Sequence, residues 1–356
     1  MAPVEDTAGA GIVAIGAYAP QHRMHNDEWA QYVDTSDVWI YPRTGIKTRH
    51  IAAAGESTAM VAARAGSLCL EAAGMDPADL RWVLVSTDTP EMWNPATACF
   101  VQAELGARRA VALDLTGGCS GFVAGLGLAE ARARLREPVL LIGCEVLSQA
   151  MDWSDRSTAV LFGDGAGAAL VMPREPGKPA FEIVNIYART DGRDAGILGK
   201  PYGGTKNPLT PELVRDGHHH RIVMHGPYVF KNAVTKMADA ALSSLEEAGL
   251  TLSDVDLVVP HQANQRIIDA VADRLKIPRE KVFSNVEEYA NTGSASIGIA
   301  LAETIEAGLI RPGQVVLTVA FGSGFSWAAS VWRAAGVPPV RAELNRGAVL
   351  TKGVGT

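Results

Sequence analysis

Two stretches of this chain, 175 residues apart, follow one template. Ala73-Gly-Met-Asp-Pro-Ala-Asp79-Leu-Arg-Trp-Val-Leu-Val-Ser86 and Ala248-Gly-Leu-Thr-Leu-Ser-Asp254-Val-Asp-Leu-Val-Val-Pro-His261 each close a helix with Ala-Gly, turn to an Asp and enter a buried strand. The likeness recurs downstream. Gly121-Phe-Val-Ala-Gly-Leu-Gly-Leu128-Ala-Glu130 resembles Gly293-Ser-Ala-Ser-Ile-Gly-Ile-Ala-Leu301-Ala-Glu303, each ahead of an apolar strand, and Phe162-Gly-Asp-Gly165 echoes Phe321-Gly-Ser-Gly324. Shared composition explains one such match but not three in the same order, and the period is too long for a solenoid. The chain is therefore read as a duplicated α/β domain, with halves at residues 1–176 and 177–356. Its 36 glycines among 356 residues, and its abundant alanine, suit helices packed closely on sheets.

Duplication has a geometric consequence for function. When two similar halves pack, equivalent loops converge at one interface, where pockets commonly form. Cys119 lies in such a loop of the first half, in Asp114-Leu-Thr-Gly-Gly-Cys119-Ser-Gly-Phe122, between an apolar strand and an Ala/Leu-rich helix. The corresponding loop of the second half holds Tyr289-Ala-Asn291-Thr-Gly-Ser-Ala-Ser296, and His261 takes the strand end that Ser86 takes in the first. A thiol at a helix N-terminus faces unpaired N–H groups and the positive end of the dipole, which favours its thiolate. The bland alternatives are a buried structural cysteine, a satisfied core histidine and, for Asn291 to Ser296, a capped helix start. As a set, Cys, His and Asn on three strand-end loops suit acyl transfer. The sulfur takes an acyl group, and the neutral His and Asn donate to an oxygen gaining negative charge.

Bulk properties remove other classes. A net charge of −7 argues against extended nucleic-acid contact. No apolar run reaches membrane-span length, and the N-terminus lacks a charged-then-apolar signal pattern. Cys69, Cys99, Cys119 and Cys144 are scattered, which fits reduced thiols in the cytoplasm. His218-His-His220 stands in a polar loop without companion ligands and is read as solvated, so no metal site is expected. Gly163-Asp-Gly-Ala-Gly167 has neither dinucleotide nor Walker spacing and is not read as a phosphate loop.

The ordered set Trp39-Ile-Tyr-Pro-Arg43-Thr-Gly-Ile46, Gly118-Cys119-Ser-Gly-Phe122, Asp155-Arg156-Ser-Thr-Ala-Val-Leu-Phe162-Gly-Asp-Gly-Ala-Gly167, His261-Gln-Ala-Asn264 and Asn291-Thr-Gly-Ser-Ala-Ser296 resembles the β-ketoacyl-acyl carrier protein synthase III family of thiolase-fold condensing enzymes. The matching segments run from Gly11 to Trp327, nearly the whole chain. The resemblance implies an α/β, thiolase-like fold whose halves form a five-layered α-β-α-β-α sandwich, and a homodimer. It implies that Cys119 is acylated by an acyl-CoA primer, while His261 and Asn291 assist decarboxylation of a malonyl thioester carried by CoA or acyl carrier protein. The oxyanion hole would be the backbone N–H groups of Cys119 and Ser323. Trp39, Arg43 and Arg156 match adenine-stacking positions, Asn264 a pantetheine contact, Gly226 and Phe230 the loop beside the tunnel, and Phe162 an acyl-pocket wall. Arg266 matches a carrier-protein docking position. The thioesters are substrates, and no cofactor is expected.

Some positions depart from the family pattern. Ser323 stands where glycine is common, which a backbone donor tolerates. Pro227 and Tyr228 replace a polar pair and are expected to narrow or stiffen the tunnel entrance. Met92-Trp93-Asn94 lies where a partner subunit closes the acyl pocket, so primer length depends on this loop and on the one near Tyr202. The alternative reading keeps the acyl-cysteine but delivers the acyl group to an oxygen, nitrogen or sulfur acceptor without decarboxylation.

Overall fold

The computed structural model describes residues 9–346. Residues 1–8 and 347–356 of the two expected halves lie outside that range. The first half opens with β1 (Ala10–Tyr18), followed by a small pair, β2 (His22–His25) and β3 (Thr48–Ile51), which brackets the short helix α1 (Asp37–Thr44). Then come α2 (Thr58–Ala73), β4 (Trp82–Ser86), α3 (Thr97–Leu105), β5 (Val111–Leu115), α4 (Gly121–Ala133), β6 (Val139–Glu145) and β7 (Gly165–Pro173). The second half begins at β8 (Phe181–Thr190) and carries a two-stranded pair, β9 (Leu198–Gly199) and β10 (Val223–Met224), around the short α5 (Pro211–Arg215). It continues through α6 (Gly226–Glu247), β11 (Leu257–Pro260), α7 (Gln265–Leu275), α8 (Val286–Tyr289), α9 (Ser296–Glu306), β12 (Val315–Gly322), β13 (Ser326–Ala334) and β14 (Val340–Glu343).

Strand pairing repeats across the halves. In the first, β1 runs antiparallel to β7, β7 antiparallel to β6, and β4 parallel to both β6 and β5. In the second, β8 runs antiparallel to β13, β13 antiparallel to β12, and β11 parallel to β12. A parallel bridge from Val258 to Val282 stands where the first half has β5. The two sets meet along a short seam, Gly11 and Ile12 of β1 against Glu182 and Phe181 of β8. The central strands are apolar along most of their length, as in β6 (Val-Leu-Leu-Ile-Gly-Cys ahead of a buried Glu145), because both faces are covered.

Two helices lie between the sheets. α4 packs on β6 and β7 on one side and on β8 and β13 on the other, and α9 touches β1, β7 and β11. α2 and α3 cover the outer face of the first sheet, and α6 and α7 that of the second, giving the five-layered α-β-α-β-α sandwich of a thiolase-like fold. Small residues make the middle layer possible. A Cβ on Gly298 of α9 would sit 2.6 Å from the Cα of Gly167 in β7, so helix and strand touch backbone to backbone. Among the described residues, no helix is long and apolar enough to cross a membrane.

The structure shifts one sequence match. Each middle-layer helix is entered through a single 3₁₀ turn, Gly118–Ser120 before α4 and Gly293–Ala295 before α9. Both turns open on a left-handed glycine, Gly118 at φ 58° and Gly293 at φ 55°. The counterpart of Gly293 is therefore Gly118 rather than Gly121, and the counterpart of Cys119 is Ser294. Flexible Gly/Ala-rich sequence allowed the motifs to be matched three residues out of frame.

Candidate active site

Cys119, His261 and Asn291 line one cavity of about 470 Å³, together with Phe162, Asn264 and Ser323. Cys119 and His261 are delivered by the loops that follow strands β5 and β11, and Asn291 by the turn between helices α8 and α9. Leu161, Leu198, Ile222, Met224 and Met237 make most of the remaining wall apolar, which suits an acyl or pantetheine chain.

The turn before α4 leaves no freedom at Gly118. Its backbone is left-handed, and an added Cβ would lie 2.6 Å from the Ser323 main-chain nitrogen. The main chains of Gly118–Cys119 and Gly322–Ser323 are thus in contact, which brings the Cys119 and Ser323 N–H groups to one spot. A Gly118→Ala chain is expected to lose about 1–2 kcal/mol of stability to the left-handed backbone alone. The clash adds to this, and calorimetry would show it as a lowered Tm with loss of acylation.

The electrostatics of Cys119 differ from the expectation. The helix start alone favours a thiolate, but burial, followed by the carboxylates of Asp88 and Glu145, pushes the thiol well above its ordinary value. Cys119 is part-buried and lines the cavity.

His261 is 2% exposed, with its Nδ1 2.8 Å from the Ser296 hydroxyl. The Gln262 N–H donates to that same oxygen at 3.4 Å, so the Ser296 hydroxyl is held against the ring. This contact fixes the ring plane of His261 at the cavity wall. Burial lowers its pKa to about 3, so the ring is a neutral donor throughout the physiological range. Ser296 begins α9, yet its side chain makes no cap and serves His261 instead. Asn291 is oriented in the same manner. Its Oδ1 accepts from the Gly293 N–H at 2.9 Å, which turns the amide NH2 toward the cavity. Its backbone bridges that of Phe162, so wall and donor are fixed together.

Most other sequence-predicted residues stand outside the cavity. On α1, Trp39 is flanked by two guanidinium groups, Arg43 at 4.7 Å and Arg156 at 4.5 Å from its ring centre. Arg156 is tethered to the Asp34 carbonyl at 2.8 Å. Asn264 caps α7 through Oδ1, which accepts from the Ile267 N–H at 3.0 Å, leaving its NH2 free at the cavity wall. Arg266 on α7 lies 5.8 Å over the ring of Phe230 on α6, so these two positions meet on the surface beside the site. Gly226 begins α6. Pro227 and Tyr228 follow it without lining the cavity, and Tyr228 donates to Asp194 at 2.9 Å. Tyr202 packs on His218 at 5.5 Å, and the His219 and His220 rings lie 4.0 Å apart, tilted by 46°. Three ionisable residues that line the cavity were not singled out from sequence: Asp88, Glu145 and Lys200.

Comparison with known proteins places this geometry. Residues 113–192 match the family profile of 3-oxoacyl-(acyl-carrier-protein) synthase III, and residues 245–334 match that family's C-terminal profile. A β-ketoacyl-(acyl-carrier-protein) synthase III of Caldanaerobacter subterraneus subsp. tengcongensis is 46% identical over 90% of this chain and 97% of its own. The synthase III structure from Thermus thermophilus superposes with a TM-score of 0.83 at 44% identity, covering 92% of this chain and all of that one. The priming β-ketosynthase of the R1128 polyketide pathway superposes with a TM-score of 0.84 at 35% identity, over 94% and 98% of the two chains. With identity this high over nine-tenths of its length, the chain belongs to the β-ketoacyl-(acyl-carrier-protein) synthase III family.

Proposed function

We propose that this protein performs decarboxylative Claisen condensation between an acyl-CoA primer and a malonyl thioester through an acyl-Cys119 intermediate. The observation that carries this reading is the cavity in which a cysteine meets a buried neutral imidazole, His261, and the pre-oriented Asn291 amide. Acyl transfer alone needs only the sulfur and the oxyanion N–H groups of Cys119 and Ser323. A second pair of donors is required when an enolate oxygen must be stabilised. Neutrality matters: an imidazolium would be costly at this burial, and a carboxylate would repel the enolate.

The remaining residues supply binding. Trp39, Arg43 and Arg156 offer flat surfaces for adenine, Asn264 an amide for pantetheine, Gly226 and Phe230 the flank of the tunnel, Phe162 an acyl wall, and Arg266 a cation for an acidic carrier protein. Exposure to a panel of acyl-CoA thioesters should add one acyl mass to the intact protein, on Cys119. Addition of a malonyl thioester should then release carbon dioxide and yield a β-ketoacyl thioester. Acyl delivery to an alcohol, amine or thiol with no carbon dioxide released would overturn the reading.

The protein works as a homodimer in this proposal. β5 is an edge strand with Val111 and Leu113 about half exposed, and Trp93, 78% exposed, stands nearby in the loop after β4. An apolar, unpaired edge is a liability unless another chain covers it. A second copy adding its own β5 would extend the sheet and bring Trp93 and Asn94 to the partner. Leu113→Lys is expected to convert the dimer to a monomer in light scattering. An unchanged dimer would rule out this interface.

A further inference from the structure

Arg49 of β3 is fully buried and stands behind the cavity wall rather than in it. Among the described residues no carboxylate makes an ion pair with it, and its Nε finds no acceptor. Its guanidinium lies 5.6 Å over the Trp29 ring. A buried cation without a counter-ion is costly, so what its two remaining nitrogens hold is informative. One donates to the Asn26 side-chain oxygen at 2.7 Å and the other to the Val160 carbonyl at 2.8 Å.

Each prong leads to a different part of the site. Val160 opens a strip, residues 160–164, that grips Asn291 by its main chain. The Asn291 N–H donates to the Leu161 carbonyl at 2.9 Å, and the Asn291 carbonyl accepts from the Gly163 N–H at 3.1 Å. Phe162, the proposed acyl wall, lies between these two bonds. The far end of the strip is tied to β3 by main chain, Asp164 N–H to the His50 carbonyl at 2.9 Å. The near end is tied to β3 through the Arg49 side chain. Packing here is close: a Cβ on Gly163 would lie 3.0 Å from the Arg49 Cβ and 2.5 Å from the Tyr289 carbonyl oxygen. On the other side, the Asn26 NH2 donates to the Asp37 carboxylate at 2.8 Å and to the Ile46 carbonyl at 2.6 Å. These partners stand at the start of α1 and just past its end. Both amide protons are thus engaged, which leaves the Asn26 oxygen for Arg49.

We propose that Arg49 is a positioning residue for decarboxylation, its planar fork holding the strip that carries Phe162 and grips Asn291 to the helix that carries Trp39. This rests on the reading of Asn291 as a donor to the enolate oxygen. A guanidinium presents its donors in a rigid plane and meets both acceptors at once. An ammonium on a shorter stem reaches one of them and leaves the other unpaired in a dry interior. The Cys119 loop is held elsewhere, by the contact of Gly118 with Ser323. Loss of the fork therefore loosens the malonyl chemistry and spares the thiol.

The test compares the two half-reactions in full-length Arg49→Lys, well below its Tm. Carbon dioxide release from saturating malonyl-CoA by the acetyl-enzyme should fall about 100-fold, the scale of a displacement of about 1 Å at a reacting centre. Acylation of Cys119 by saturating acetyl-CoA, read by quenched intact mass, should stay within a few-fold. A purely structural role would lower Tm and depress both rates by one factor, leaving their ratio fixed. Asn26→Ala keeps the guanidinium but frees one prong, and should shift the ratio in the same direction by a smaller factor. It decides the matter alone if Arg49→Lys does not fold. A ratio equal to that of the unmodified protein in the folded variants would overturn the proposal. The reading beneath it fails separately, through an Asn291→Asp enzyme that decarboxylates at the unmodified rate, whatever Arg49→Lys does.

Discussion

Cys119→Ala is expected to take up no acyl group and to lose condensation by about 10⁴-fold or more, the scale seen when a covalent nucleophile is removed. Malonyl thioester should still lose carbon dioxide slowly, because His261 and Asn291 face the cavity independently of the sulfur. The resulting product is an acetyl thioester rather than a β-keto chain. Intact mass after acyl-CoA exposure reads the first half of this outcome, and carbon dioxide release with product chromatography reads the second. A Cys119→Ala enzyme that still condensed would eliminate the covalent route.

The complementary variant is Asn291→Asp. Aspartate keeps an oxygen for the Gly293 N–H, so the turn before α9 should hold. The amide donor facing the cavity becomes a carboxylate oxygen. Decarboxylation should fall by about 10²–10³-fold, the range for loss of one donor to a developing oxyanion. Acylation of Cys119 should be retained within a few-fold. The two variants thus separate the half-reactions: one keeps the malonyl chemistry and loses loading, and the other does the reverse. Decarboxylation at the unmodified rate by Asn291→Asp would remove the amide from the mechanism.

Much of this was legible because duplication leaves marks that survive in sequence. Ala73-Gly and Ala248-Gly end helices α2 and α6, and the strands that follow are the equivalent β4 and β11. Strand-end loops in such a frame converge, so Cys119, His261 and Asn291 could be joined without coordinates. What escaped were single residues with no local pattern. Asp88 in Ser-Thr-Asp-Thr reads as a solvated turn, and Glu145 follows an apolar strand that marks only burial. Their proximity arises because β4 and β6 are spatial neighbours although their sequences lie far apart. Ser296 was legible as a helix start but not as the partner of His261, since a short hydroxyl serves either purpose. Arg49 shows the same limit. It is fully buried on Asn26 and the Val160 carbonyl, at 2.7 and 2.8 Å, in a segment whose charge suggests surface. The sign of the effect on Cys119 also required tertiary structure, because a helix dipole can be inferred locally and two distant carboxylates cannot.

The arginines on Trp39 have a consequence for how ligands are told apart. A planar base arriving on that ring exchanges with a guanidinium already stacked there, and each exposed contact of this kind is worth about 0.5–1 kcal/mol. The exchange is close to isoenergetic, so the indole discriminates little by itself between a thioester that carries a nucleotide and one that does not. Under the proposed adenine role, discrimination would fall to the displaced arginine, which would exchange its carbonyl partner, Asp34 for Arg156 or Trp39 for Arg43, for a phosphate. In that role Trp39 would hold a cation until a base replaces it, and the nucleotide would be read through the charge released rather than the surface filled.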